Sequence, residues 1–218
     1  MRAADSDRRY RGGEEIANSI IHGTGALAAV AGLVVLVAAA AATDDGWRIV
    51  SAAIYGATLI LLYTASTLYH GIAHPRARRV LRFIDHAAIF LLIAGTYTPF
   101  TLVSLRGPWG WSLFGVIWGL ALTGITAQSR LLHRWTALSL ALYVAMGWAA
   151  VVAVRPLLDA VAPGGLLLLL LGGIAYTAGI GFYVWRRLPY HHAVWHGFVL
   201  AGSACHYFAI LGFVIPAG

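Results

Sequence analysis

The chain contains no lysine, a single cysteine and only eight acidic residues, and each shortage closes off a class of protein. With charged residues at 11% against a hydrophobic share of 60%, there is too little polar side chain to coat a soluble domain. Cys205 alone excludes an intrachain disulfide and a thiolate-cluster metal site, which leaves it a packing role. All fifteen basic residues are arginine, and the formal charge of +7 raises the question of a nucleic-acid partner. These arginines sit between apolar segments, where topology determinants and contacts to anionic lipids belong, so no nucleic acid is expected.

What is present in excess is apolar sequence. A transmembrane helix needs about 20 apolar residues, so 218 residues hold at most about seven or eight spans with short connections. Seven apolar segments are legible, near Ile16–Ala42, Ile49–Ala73, Val80–Val103, Trp109–Ala127, Thr136–Val154, Gly165–Arg187 and His192–Ile215. The first reads as a span rather than a cleavable signal, because it is longer than a signal core and follows polar Asn18 and His22. The expected organisation is all-α and polytopic, with residues 1–15 a short cytoplasmic tail and residues 16–218 one seven-helix membrane domain. Connections of a few residues make successive helices antiparallel neighbours. Gly95, Thr96, Thr98 and Pro99 predict a kink in the third span, since proline removes a backbone hydrogen bond.

Orientation follows from the arginines. Arg2, Arg8, Arg9, Arg11, Arg76, Arg78, Arg79, Arg82, Arg130, Arg134, Arg186 and Arg187 fall on one side, and only Arg48, Arg106 and Arg155 on the other. Positive charge resists translocation, so the N-terminus is placed in the cytoplasm and the C-terminus outside. Trp47, Trp109, Trp111, Trp135 and Trp185 fall near segment ends, as an interfacial aromatic belt requires.

Ionisable groups at membrane depth are costly and face partners in the interior. Asp85 is the acidic residue well inside an apolar span, and it admits two readings: an ion pair with Arg82, three residues earlier, or a place beside a metal. His192 and His196 are four residues apart at the start of the last span, which stacks both imidazoles on one face. His70 lies at the end of the second span, four residues after Ser66. The topology read from arginines alone brings His70, Asp85, His192 and His196 to one leaflet.

Three neutral imidazoles suit Zn2+ and leave a fourth position for water, which Asp85 would hydrogen-bond. A neighbouring carboxylate then takes the proton as that water attacks a carbonyl, which is a hydrolase's equipment. The H-x-x-x-H spacing alone lacks the glutamate of H-E-x-x-H, and buried histidines also serve interhelical hydrogen bonds, so spacing leaves both open. Asn18 and His22, another i, i+4 pair near the same leaflet, are candidate supports behind the ligands. His206 is a third, although it lies about 20 Å deeper than His192, where a hydrogen-bonding core role is the plainer expectation. His74, His86, His133 and His191 read as bystanders.

Several separated motifs now resemble one family. They are Glu14-Glu15-Ile-Ala-Asn18-Ser-Ile-Ile-His22-Gly23, Ser66-Thr-Leu-Tyr-His70, Asp85 through Pro99, and His192-Ala-Val-Trp-His196 running on to Ser203-Ala-Cys-His206. In this order they resemble the hemolysin III proteins, bacterial members of the progestin and adipoQ receptor superfamily, over nearly the whole chain. The resemblance implies a seven-helix fold with zinc held at His70, His192 and His196, and a water near Asp85 with Ser66 close by. The related adiponectin receptors and alkaline ceramidases look like zinc-dependent lipid amidases. Kinship therefore implies hydrolysis of a ceramide-like or other acyl-amide lipid, entering laterally from the membrane and serving lipid homeostasis in a bacterial inner membrane.

Two readings from other classes compete with the hydrolase. A pore-forming cytolysin is what the family's name implies, but a conducting path needs polar groups along the whole membrane depth, and here they cluster in one leaflet. A non-catalytic sensor of membrane state, stabilised by zinc, would bind the metal without turning over lipid.

Overall fold

Residues 12–130 and 136–216 are described in a computed structural model of the chain. Arg2, Arg8, Arg9, Arg11, His133, Arg134 and Trp135 lie outside the described residues, as does the greater part of the expected N-terminal tail.

Helices dominate because apolar runs in a bilayer must satisfy every backbone polar group internally. Helix α1 spans Gly12–Ala41, α2 Gly46–Gly71, α3 Pro75–Pro99 and α4 Pro108–Arg130. After these come α5 (Thr136–Gly147), α6 (Val154–Ala160), α7 (Pro163–Val184) and α8 (His191–Phe213). Among the described residues, seven spans are long and apolar enough to cross a membrane, with α5, the turn after it and α6 together forming the fifth. Helix α1 begins at Gly12 rather than near Ile16, which places Glu14 and Glu15 in its first turn, where the helix dipole favours acidic groups.

Local chemistry sets the ends. Asp45 caps α2, its carboxylate accepting from the Trp47 amide at 2.9 Å, and Asp44 before it takes the left-handed conformation that a short polar side chain tolerates. Pro75 and Pro163 open α3 and α7, where the missing N–H costs nothing. Gly107, at φ +135°, turns the chain from the third span into α4, a conformation closed to side chains with a Cβ.

Two spans depart from a plain α-helix. The kink expected around Pro99 takes the form of a π-helical turn over Phe100–Ser104, closed by a hydrogen bond from the Leu105 amide to the Phe100 carbonyl at 2.8 Å. The buried hydroxyls of Thr98 and Thr101 bond back to the carbonyls of Ala94 and Tyr97 on either side of the proline. The fifth span is not the single helix its apolar run predicts: α5 gives way to a 3-10 stretch over Trp148–Ala153 before α6 begins. Tyr97 of α3 explains the break. Its hydroxyl accepts from the Ala150 amide at 2.7 Å and shares its proton between the Met146 and Gly147 carbonyls, 3.0 Å each, taking over bonds the α-ladder would have made.

In the bundle, α1 packs on both α2 and α8, α2 on α3, α3 on α4, and α7 on α8, while α5 meets α3, α4 and α7 along short stretches. Tyr55, Phe90, Leu36, Ile117 and Ile210 fill the centre, fully buried. The outward face is apolar too, with Leu27, Val34, Val116, Val152 and Leu167 all exposed, which suits lipid rather than water. Trp47, Trp109, Trp111 and Trp185 are exposed near helix ends.

Candidate metal centre

The ligand set assembles from two helices that α1 holds together. His70 ends α2, His192 and His196 occupy the first turns of α8, and one ring nitrogen from each lies within 4.8 Å of the other two. The Nε2 atoms of His70 and His196 are 3.3 Å apart. Zinc–nitrogen bonds of about 2.0–2.1 Å at tetrahedral angles put neighbouring ligand atoms about 3.4 Å apart, so this pair already sits at the spacing of one shared ion. The donor set of three imidazoles fits a borderline cation such as zinc.

Behind the ligands stands one face of α1. Glu15, Asn18 and His22 follow the i, i+3, i+7 pattern that lines a single helix face. His22 Nε2 is 2.5 Å from His196 Nδ1, and Asn18 Nδ2 is 3.4 Å from His70 Nδ1. Glu15 Oε2 is 2.6 Å from the same His70 nitrogen, and its other oxygen accepts from the Arg78 guanidinium of α3. Arg78 also lies over the Tyr69 ring, 5.1 Å from its centroid. Glu14, the neighbour of Glu15, accepts from the Tyr190 amide at 3.0 Å, tying α1 to the residue that caps α8.

Asp85, buried on α3, lines the same cavity as His22, His192 and His196. Its Oδ2 lies 3.4 Å from His86 Nδ1, which also approaches the Arg82 carbonyl at 2.8 Å. His86, read from the sequence as a bystander, is thus in contact with Asp85: rotation of the side chains about Cβ brings adjacent residues on a helix together. Ser66, one turn before His70, is fully buried, and its Oγ has no hydrogen-bond partner among the described residues. His206 stands apart, its Nε2 3.2 Å from the Leu169 carbonyl and its ring against Tyr176, about 15 Å along α8 from His196. Its hydrogen bond joins α8 to α7, and its side chain lines the same cavity as Asp85 and His196.

Sequence reasoning did not single out Glu15, Arg78 or His86 for the site. For Glu15 a signal existed, its placement three residues before Asn18 and seven before His22. For Arg78 none did, since it reads as one of four clustered interfacial arginines.

The cluster opens into a cavity of about 460 Å³ between α3, α5, α7 and α8. Leu62, Ile89, Leu92, Ile93, Val144 and Val199 make much of its wall apolar, while Arg79 and Arg82 stand at the arginine-rich end.

Comparison with known proteins identifies the family. The family profile described as Haemolysin-III related covers residues 10–207. The chain belongs to the hemolysin III family. It is 46% identical over 202 residues to the Hemolysin-3 homolog of Bacillus subtilis (strain 168), spanning 93% of this chain and 95% of that one. Hemolysin-3 of Bacillus cereus is 45% identical over 203 residues, 93% of each chain. The human Monocyte to macrophage differentiation factor is more distant, 29% identical over 176 residues, 77% of this chain and 72% of that protein. As a hemolysin III protein with seven apolar spans, the chain is an integral membrane protein in contact with lipid.

Proposed function

We propose that this hemolysin III protein is a zinc-dependent hydrolase of membrane lipids, acting on an acyl-amide bond of the ceramide type. The observation that carries this reading is the convergence of three imidazoles, two of which, His192 and His196, line an apolar-walled cavity together with the buried Asp85 carboxylate. Zinc held by His70, His192 and His196 would supply Lewis acidity, polarising an acyl carbonyl and making water acidic enough to attack near neutral pH.

The chain's own residues supply the rest. Asp85 faces the cavity beside the imidazoles and takes the proton of the attacking water, with His86 holding the carboxylate in place. Ser66 Oγ, buried and without a protein partner among the described residues, offers that water a further hydrogen bond. The apolar wall accommodates an acyl chain, and the short contact between α5 and α7 offers a lateral route from the bilayer. The arginine-rich end would lie in the cytoplasm, with the N-terminus inside and the C-terminus outside, in the inner membrane of a bacterium. Lipid turnover by the purified protein tests the assignment: it should require His196, and equal turnover by His196→Ala would remove metal chemistry from this site.

A second reading, membrane lysis, is favoured only by the names of the two Bacillus relatives. Ion flux from liposomes that survives loss of His70 and His196 together would favour it over the enzyme.

A further inference from the structure

The residues around His70 carry an assignment that goes past the three ligands, and it rests on the proposed metal centre. A ligating imidazole offers one nitrogen to the metal and needs its other N–H held by an acceptor, which fixes both tautomer and ring orientation and raises the basicity of the ligand. For His196 that acceptor is His22 Nε2, at 2.5 Å from His196 Nδ1. For His70, Asn18 presents only its amide nitrogen, a donor, at 3.4 Å. The acceptor within reach is the Glu15 carboxylate, 2.6 Å from His70 Nδ1, while His70 Nε2 faces His196 Nε2.

We propose that Glu15 is the positioning residue for His70, a carboxylate from α1 that holds Nδ1–H and so turns the Nε2 lone pair towards the metal, with Arg78 locking the carboxylate from behind. Three observations converge on it. Glu15 is only 13% exposed at its side chain, and both its oxygens are engaged, one by His70 and one by Arg78. Arg78 is itself restrained by the Tyr69 ring, so the chain Arg78, Glu15, His70 is held at its far end. Finally, Glu15 sits on the α1 face that also carries His22, so a single helix supplies the acceptors behind ligands from both α2 and α8.

The consequence is that metal affinity depends on a side chain that never touches the metal. Removing such a support lowers affinity about 10–100-fold in comparable sites. The experiment uses the purified full chain, stripped of metal, with zinc affinity measured by competition against a chromophoric chelator and the ligand field read from the absorption spectrum after loading with Co2+. Glu15→Gln keeps the size and one acceptor oxygen but loses the charge and the Arg78 partner. It should bind zinc at least about 10-fold more weakly and shift the cobalt bands, because the basicity of His70 falls. Arg78→Gln, which leaves Glu15 in place but frees it, should weaken binding to a lesser degree, and it carries the test if Glu15→Gln does not fold. Arg76→Gln, the same charge change on an exposed neighbour, should match the wild type in both readouts. Wild-type affinity and an unshifted spectrum in Glu15→Gln, or in Arg78→Gln where that variant stands in for it, would overturn the inference alone. A wild-type protein that takes up no stoichiometric zinc would overturn the metal centre itself, and this assignment with it.

Discussion

Asp85 and Asp45 show how differently one carboxylate can be used at the two ends of the bundle. Asp85 faces the cavity, and in the proposed reaction it would accept the proton, contributing to rate rather than to metal binding. Asp85→Asn should therefore retain zinc and lose about 10²–10⁴-fold in lipid turnover, measured as product released by metal-loaded protein. Loss of zinc in that variant would instead make Asp85 a ligand. Asp45 lies outside the spans and works on stability. Partial desolvation pushes its carboxyl up, but hydrogen bonds from Arg106 (2.7 Å) and the Trp47 amide, with the charges of Arg106 and Arg48, more than offset this and hold it below the ordinary carboxylate range. A group depressed on folding contributes stability that is complete above its unfolded pKa and disappears as pH falls through the folded one. Thermal midpoints of wild type and Asp45→Asn should thus differ at neutral pH and converge in acid; a gap that persists unchanged at low pH would contradict the role of the charge. At this scale the pairing of His192 with His196 was legible, because i, i+4 spacing fixes a helix face. The pairing of Asp85 with His86 was not, because side-chain torsion, rather than backbone phase, decides whether adjacent residues meet.

Among the elements, the fifth span is where apolar pattern and structure part. Thr136–Val154 reads as one continuous helix, since hydropathy records only transfer into lipid, and nothing in that segment announces a hydroxyl arriving from α3. Tyr97 supplies it, bonding the Met146 and Gly147 carbonyls at the end of α5 and the Ala150 amide of the 3-10 stretch. Tyr97→Phe should leave the Ala150 amide without that acceptor and cost about 1–3 kcal/mol, visible as a lower thermal midpoint in detergent. An unchanged midpoint would mean that α5 reforms its own ladder through Trp148. The contact of α2 with α3 is tight in a different way: a Cβ at Gly95 would run into Thr58 Oγ1. Gly95→Ala should destabilise by about 1–3 kcal/mol, and Thr58→Ala in the same chain should restore part of the loss. Failure of that rescue would show that the cost lies in the backbone near Pro99 and not in crowding. The proline signalled some distortion of this span from the sequence. That the distortion is a π turn depends on which backbone groups pair around Phe100–Ser104, which only the folded helix determines.

For the whole molecule, seven spans and their order followed from the spacing of apolar runs, because a bilayer allows few alternatives to helices about 20 residues long. Which helices touch was less accessible. The connection of α1 to both α2 and α8 closes the bundle and is what brings His70 to His192 and His196, yet antiparallel neighbours in sequence say nothing about the first helix meeting the last. The account depends on that closure delivering three imidazoles to one cation. X-ray absorption at the zinc edge of the purified protein measures this directly. The prediction is one zinc per chain with a nitrogen shell at about 2.0–2.1 Å bearing the multiple-scattering signature of three imidazoles. Protein that carries no zinc, or zinc whose spectrum contains no imidazole, would contradict it.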